Sequence, residues 1–224
     1  MLNFAKNRDL PMVLKLEQEA VNKYGLPPSK YRYNNLVLCY AKMNKPNEAE
    51  SVIREMRAKG LKPDVVTYTT LIDAYKRAKN IDKCWEVFED CRVYSDMGGG
   101  GDELLLSYMT RLCGATHDAE KALQLFAEME SDGFIETAKH YNAIISALGS
   151  SSRYADKAIE FWHKMQLNHV VPDNHTFVAV FRACAKLGDV ETAFDALQDM
   201  KIHDLKMTEH TYNGLIRVYA GAAQ

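Results

Sequence analysis

The fold of this chain is decided by the stretch Gly60-Leu-Lys-Pro-Asp-Val-Val-Thr-Tyr-Thr-Thr-Leu-Ile-Asp-Ala-Tyr75. Its first part should end a helix, because glycine suits a helix C-terminus and the residue before a proline is forced into an extended conformation. Its second part should begin a new helix, because apolar residues recur at i, i+3, i+4 and i+7 from Tyr68 onward. The stretch therefore predicts a junction between two helices.

Similar junctions recur along the chain with a period of about 35 residues, and three markers keep this register. The opening aromatics, at gaps of 35, 73, 36 and 35 residues, are Tyr33, Tyr68, Tyr141, Phe177 and Tyr212. The gap of 73 residues holds one unit with a weak opening. Two further markers recur at gaps of 35, 38, 36 and 35 residues, namely Ala49, Cys84, Ala122, Ala158, Ala193 and Met56, Cys91, Met129, Met165, Met200. The sequence therefore predicts a repeat architecture.

Each repeat is predicted to hold two antiparallel helices. In one of them the polar turn Lys186-Leu-Gly-Asp189 separates the pair, since Gly188 suits a positive φ and Asp189 can cap a second helix. Complete units are predicted at 30–64, 65–101, 102–137, 138–173 and 174–208, with partial units at 1–29 and 209–224. Because repeat arrays normally end in polar capping repeats, we expect this chain to be part of a longer array.

Composition and charge narrow the class of protein. The 224 residues are 47% hydrophobic and 26% charged, which allows a buried core, and the formal net charge is −2. No apolar run approaches the roughly 18 residues needed to cross a bilayer, so we do not expect an integral membrane protein. The near-neutral total does not by itself indicate a nucleic-acid partner.

Motifs for catalysis or metal binding are absent from the sequence. The cysteines occur singly, which predicts buried, reduced thiols in a reducing compartment and not a zinc site. The run Gly98-Gly-Gly-Gly101 lacks the Gly-Lys-Ser/Thr of a phosphate-binding loop and is interpreted as a flexible loop. Neither His-Glu-x-x-His nor the motifs of a zinc deaminase occur. We therefore expect a non-catalytic protein with no cofactor, no metal and no small-molecule substrate.

The junction at 60–75, together with Ala193-Phe-Asp-Ala-Leu-Gln-Asp-Met200, closely resembles the pentatricopeptide repeat (PPR) family over nearly the whole chain. The Trp-x-x-Leu-Gly-x-x-Tyr pattern of tetratricopeptide repeats is absent. The resemblance implies an all-α, right-handed superhelical solenoid of antiparallel helix pairs, with a concave groove along the first helices. It also implies binding of single-stranded RNA, one base per repeat, in a mitochondrion or, as the alternative, a chloroplast.

The resemblance further implies that each base is read by two residues, one after the opening aromatic and one at the end of the unit. Asn34 with Asp64, and Asn142 with Asp173, are pairs that the family associates with uracil. We predict these four residues as base-reading residues.

The other complete units match this pattern less well. Thr69, with Asp102 or a neighbour as its partner, would favour guanine, although the glycine run blurs the register there. The remaining two units depart from the pattern, with Leu106 or Ser107 beside Thr137 and Val178 beside Thr208.

Charge is distributed unevenly between the two helices of each unit. The first helices and their opening residues carry a net charge of +8, so the remainder carries −10. An RNA groove needs positive charge to offset the phosphates. Lys42, Arg77 and Lys186 share one repeat position near the end of the first helix, where the family tends to place a phosphate contact. The helix dipole also favours basic residues at this position, so either explanation stays open.

Two functions follow from the sequence. The first is selective binding of single-stranded organellar RNA in RNA processing or translation, supported by the two Asn/Asp pairs and the basic layer. The alternative is a PPR scaffold subunit of an organellar ribosome or another assembly, which binds protein or structured RNA on its long surface. The near-neutral charge and the two units that depart from the pattern favour the second.

Overall fold

The computed structural model describes residues 11–12, 15–16, 19, 23–25, 27, 29–95, 101–134 and 137–222; the side chains at 101, 102 and 222 lie outside this description. The described residues from 30 to 222 form eleven α-helices and one short 3-10 helix, Ser152–Tyr154. They are α1 (Lys30–Lys42), α2 (Pro46–Ala58), α3 (Val65–Arg77), α4 (Ile81–Tyr94), α5 (Gly101–Thr116), α6 (Ala119–Ser131), α7 (Ala138–Leu148), α8 (Ala155–Leu167), α9 (Asn174–Leu187), α10 (Val190–Ile202) and α11 (Glu209–Ala222). No strand forms in the part of the chain that the structure describes, and no helix there is long and apolar enough to cross a membrane. The predicted all-α fold of helix pairs is confirmed.

The helix ends follow from local sequence signals. Asp64 precedes α3 and accepts the backbone N–H of Thr67 at 2.8 Å, and Asp189 caps α10 in the same way through Thr192 at 3.0 Å. Gly188 ends α9 with a φ of +69°, a conformation that costs glycine little. The predicted turn between α9 and α10 is therefore confirmed.

The chain divides into two compact units, Met1–Leu105 and Leu106–Gln224. In the first unit α1 packs against α2 and α3, and α3 packs against α4. In the second unit α7, α9 and α11 pack side by side, while α8 lies against both α7 and α9 and α10 lies against both α9 and α11. This arrangement separates a layer of first helices from a layer of second helices within each unit.

The repeat markers form the core. The opening aromatics Tyr33, Tyr68, Tyr141 and Phe177 are all buried, and so are the ten small and sulfur-containing markers. Tyr212 differs, because 55% of its surface is exposed on α11. The five cysteines are buried, and none of them forms a disulfide. Burial raises the pKa of the Cys84 thiol to about 11 and those of Cys113 and Cys184 to about 12.

Close approach of the first helices depends on small residues. A Cβ added to Gly114 in α5 would lie 2.7 Å from the carbonyl oxygen of Ala143 in α7. Glycine is therefore required for the two backbones to touch. The glycine run 98–101 is predicted to be a loop, but its last residue, Gly101, is the first residue of α5. Residues 98–100 lie outside the described ranges. The repeat boundaries themselves stay a prediction.

Candidate nucleic-acid interface

A cleft of about 640 Å³ runs along the first helices of the second unit. Three cations line it, one from each of three consecutive first helices: Arg111 from α5, Lys139 from α7 and Arg182 from α9. Gly114, in close contact with α7, also lines the cleft. The cleft therefore combines positive charge with a surface that the helices hold in fixed spacing.

The predicted pair Asn142 and Asp173 lies in this cleft, joined by a hydrogen bond. The Asn142 amide nitrogen donates to Asp173 Oδ2 at 3.0 Å. A third residue, Thr176, completes the arrangement, since its hydroxyl donates to Asn142 Oδ1 at 2.5 Å and accepts the Asp173 backbone N–H at 3.0 Å. Asp173 in turn accepts the Thr176 backbone N–H at 3.1 Å. Asn142 is thus held at both ends of its amide.

The first unit contains the same arrangement at Asn34, Asp64 and Thr67. The Asn34 amide nitrogen donates to Asp64 Oδ2 at 3.1 Å, and the Thr67 hydroxyl lies 2.7 Å from both Asn34 Oδ1 and Asp64 Oδ1. Lys30 lies 3.9 Å from the same carboxylate. Partial burial acts to raise the pKa of Asp64, but the hydrogen bonds from Thr67 and Asn34 and the charge of Lys30 outweigh it and lower that pKa.

Local helix geometry explains why these three residues meet. The aspartate is the N-cap of the next repeat's first helix, and the threonine is the third residue of that helix; Asp173 and Thr176 form a complete capping box. Threonine at this position turns its hydroxyl back across the helix end toward the preceding repeat. Sequence reasoning identified the asparagines and aspartates and missed Thr67 and Thr176. The signal was present in the sequence, because each threonine lies three residues after an aspartate, a residue type that favours the N-cap position.

The weaker predicted positions have different surroundings. The Thr69 hydroxyl donates to the carbonyl of Val66 in its own helix at 3.1 Å, and the side chain of Asp102 is among those not described. Of the two alternatives in the next unit, Leu106 is buried in the core and Ser107 is partly exposed.

The last complete unit has no polar reading group at its first position. Val178 lines the cleft, and Thr208 bonds to Thr211 within its own helix end, with its backbone N–H 2.7 Å from the Thr211 hydroxyl.

The three predicted phosphate contacts lie at the C-terminal ends of their helices. Arg77 pairs with Asp73 at 3.1 Å and also donates to the carbonyl of Ala41 at 3.0 Å, so it joins α3 to α1. Lys42 is partly buried in the last turn of α1, and Lys186 is exposed in the last turn of α9. The cations that line the cleft in the second unit lie elsewhere on the first helices.

Comparison with known proteins places these features in context. The chain matches the PPR repeat family over residues 28–77, the PPR repeat over residues 66–94 and the pentacotripeptide-repeat region of PRORP over residues 99–224. It is 24% identical over 224 residues to the mitochondrial 15S rRNA processing factor ppr3 of Schizosaccharomyces japonicus, covering 96% of the chain and 33% of the relative. A putative pentatricopeptide repeat-containing protein of Arabidopsis thaliana is 25% identical over 195 residues, which cover 86% of the chain and 33% of that relative. The chain thus spans about a third of the length of these curated relatives.

Solved structures give the same fold. The crystal structure of the pentatricopeptide repeat protein PPR10 from maize aligns with a TM-score of 0.57 at 21% identity, covering 98% of this chain and 36% of that one. The structure of PPR10 in complex with an 18-nt psaJ RNA element also aligns with a TM-score of 0.57, at 19% identity, covering 95% of this chain and 29% of the other.

Proposed function

The chain belongs to the pentatricopeptide repeat family, and from this premise we propose that it binds single-stranded RNA along its first helices and reads individual bases there. Its action follows from binding and not from catalysis. The observation that carries the proposal is the repeated Asn-Asp-Thr arrangement. Residues about 108 positions apart in the sequence, Asn34 and Asn142, are held by the same partners in the same order.

The hydrogen-bonding capacity of the two asparagines supports recognition of uracil. An amide offers two hydrogens and two lone pairs. One hydrogen of Asn142 is used by Asp173 and one lone pair by Thr176, which leaves a donor and an acceptor for a ligand. The flanking donor and acceptor groups also fix which end of the amide is nitrogen. Uracil presents an N3–H donor beside carbonyl acceptors, so it complements this remaining pair, and RNA bases are commonly read on that edge.

The electrostatics of the cleft support a polyanionic ligand. Arg111, Lys139 and Arg182 follow one another along three adjacent first helices, as phosphates follow one another along a strand. Each phosphate contact made by such a cation releases counterions, so RNA affinity should fall as salt rises. The basic layer explains how a chain with a net charge of −2 can bind RNA.

The relatives support a mitochondrial role in RNA processing or translation. The ppr3 proteins of two fission yeasts and a protein of Yarrowia lipolytica all carry the name of mitochondrial 15S rRNA processing factor. One Arabidopsis relative carries a chloroplastic name, so the plant organelle is the alternative location.

The test is binding of the chain to a randomised single-stranded RNA pool at two salt concentrations, followed by sequencing of the bound fraction. We expect two enriched uracils at a fixed spacing, one for each Asn-Asp-Thr arrangement. Asn142→Thr should move one enriched position from uracil toward guanine, and Asn34→Thr should move the other. Asn35→Thr is the matched control, because it makes the same change one residue later on α1 and should leave both preferences intact.

An unchanged preference in Asn34→Thr and Asn142→Thr would contradict base reading by these residues. Absence of RNA binding would contradict the proposal as a whole and favour the scaffold function, whose partner would then be sought on the acidic second-helix layer.

A further inference from the structure

One repeat position in the first-helix layer is polar and yet buried. The third residues of α3, α7, α9 and α11 are Thr67, His140, Thr176 and Thr211, and each is 4% exposed or less. Buried polar side chains need hydrogen-bond partners. Thr67 and Thr176 satisfy theirs by joining the N-cap of their own helix to the asparagine of the preceding repeat. At Thr67 and Thr176 this position therefore orients the asparagine of the preceding repeat.

His140 occupies this position in α7 and connects two residues of the unit 102–137. Its Nε2 lies 2.7 Å from the hydroxyl of Ser107 in α5, and its Nδ1 lies 3.3 Å from the backbone nitrogen of Thr137. Ser107 is 30 residues before the Thr137 N-cap, as Asn34 is 30 residues before Asp64. Ser107, Thr137 and His140 are thus the counterparts of the Asn-Asp-Thr arrangement.

The hydrogen bonds determine the tautomer of His140. A backbone N–H can only donate, so Nδ1 must accept the Thr137 hydrogen and the ring proton must be on Nε2. Nε2–H then donates to Ser107 Oγ, which fills one lone pair of the hydroxyl. The hydroxyl hydrogen of Ser107 stays available for another acceptor.

In both hydrogen-bonded pairs between adjacent repeats, one long side chain faces one short side chain, but the long one comes from opposite partners. Where the first helix carries the longer Asn142, the next carries the short Thr176; where it carries the short Ser107, the next carries the longer His140. The hydrogen bond between adjacent repeats is kept in both cases. A threonine in place of His140 would be too short to reach Ser107.

Ser107 lies on the same face of α5 as Arg111, which lines the cleft. Residues four apart on a helix share a face, and Arg111, four residues after Ser107, lines the cleft. The pairs Asn142 with Ser146 and Val178 with Arg182 have this spacing too, and all four residues line the cleft.

We propose that the unit 102–137 holds a third base-contacting site, in which His140 is a positioning residue that makes Ser107 a hydrogen-bond donor to a nucleobase acceptor. The proposal rests on the proposed function, since it requires RNA in the cleft. It assigns a specificity to a unit whose sequence departs from the usual pair of reading residues.

The first measurement is made on the full chain without RNA. Long-range proton–nitrogen NMR spectra distinguish the two neutral histidine tautomers, and we expect His140 to carry its hydrogen on Nε2 at pH 8. Ser107→Ala should shift the Nε2 resonance, because the acceptor is lost. A hydrogen on Nδ1, or a spectrum unaffected by Ser107→Ala, would overturn the proposal.

The second measurement uses two variants of nearly equal size. His140→Gln keeps an acceptor for Thr137 and an NH₂ donor for Ser107, and glutamine is favoured at this capping-box position. His140→Glu also fits the capping box, but its carboxylate only accepts, so Ser107 must turn its hydrogen toward it and present lone pairs to the cleft. The two side chains are nearly equal in size, so steric packing alone would be affected similarly by the two changes, and a persisting uracil preference at Asn142 controls for the cost of burying the glutamate charge.

The readout is the affinity for a set of short RNAs. Each RNA keeps the uracil read by Asn142, and the nucleotides on either side of it are varied in turn through all four bases. Wild-type chain and His140→Gln should share one base ranking, with the favoured base bound about fivefold more tightly, as one hydrogen bond allows. His140→Glu should lose that ranking while its uracil preference at Asn142 persists. A shared ranking in all three proteins, or no preference beside the uracil, would overturn this inference and leave the proposed function intact. Absence of a uracil preference in the wild-type chain would overturn both this inference and the proposed function.

Discussion

Replacing Gly114 by alanine should separate two first helices and destabilise the protein by up to about 2 kcal/mol. The new Cβ would lie 2.7 Å from the Ala143 carbonyl oxygen and 2.8 Å from its Cα. Ordinary contact requires about 3.5 Å, so α5 and α7 must move apart by roughly 0.7 Å. Such overpacking costs about 1–3 kcal/mol, and the better helix propensity of alanine returns about 1 kcal/mol. The clash outweighs the propensity because the obstacle is backbone, which cannot rotate away.

Urea denaturation followed by circular dichroism measures this difference through the midpoint at constant m-value. Gly221→Ala is the matched control, since Gly221 also lies in a helix but its added Cβ would meet nothing closer than the Ala185 oxygen at 3.5 Å. The control should leave stability unchanged or raise it slightly. The movement would also alter the spacing between Ser107 and Asn142, so RNA binding should weaken in Gly114→Ala. A Gly114→Ala variant as stable as the control would refute the assigned helix contact.

Three further predictions concern charge and burial. Arg182→Ala should reduce the slope of log affinity against log salt by about 0.7, because one phosphate contact is lost. Lys157→Ala, on the exposed surface of α8, should leave the slope unchanged. Binding titrations at several salt concentrations check both expectations. The Asp64 pKa is lowered in the folded protein, so its ionisation stabilises the fold above the unfolded pKa of about 3.9, and this stabilisation is lost as the pH falls through the folded value. The stability advantage of wild type over Asp64→Asn in urea should therefore shrink below about pH 4, and a constant difference would contradict the assigned hydrogen bonds. The Cys113 and Cys184 thiols, with pKa values raised to about 12 by burial, should react with a thiol reagent at pH 8 only after unfolding; rapid labelling of the native chain would argue against their burial.

The sequence alone determined the features that depend on local chain chemistry and on periodicity. The 35-residue register identified Tyr68 and Phe177 as equivalent positions of the repeat, and both are buried. The turn at Gly188 and the cap at Asp189 also followed from the sequence, because a positive φ and an unpaired helix N-terminus each restrict the residues that fit. The pairs Asn34 with Asp64 and Asn142 with Asp173 came from the family resemblance, and the structure brings both pairs within hydrogen-bonding distance.

Tertiary structure alone decided which side chains meet between neighbouring repeats. His140 and Ser107 are 33 residues apart, and only the packing of α7 against α5 brings them to 2.7 Å. Periodicity left Leu106 and Ser107 as alternatives, because the weak opening of that unit did not fix its register. A shift of one residue rotates a position by about 100° around the helix, so the two alternatives point in different directions. Tyr212 matches Phe177 in the register but is exposed, since burial depends on the helices packed around a residue and not on its own identity. Local sequence rules act over a few residues. The proposed base-reading surface is built from side chains about 30 residues apart, so it forms only when the helices stack.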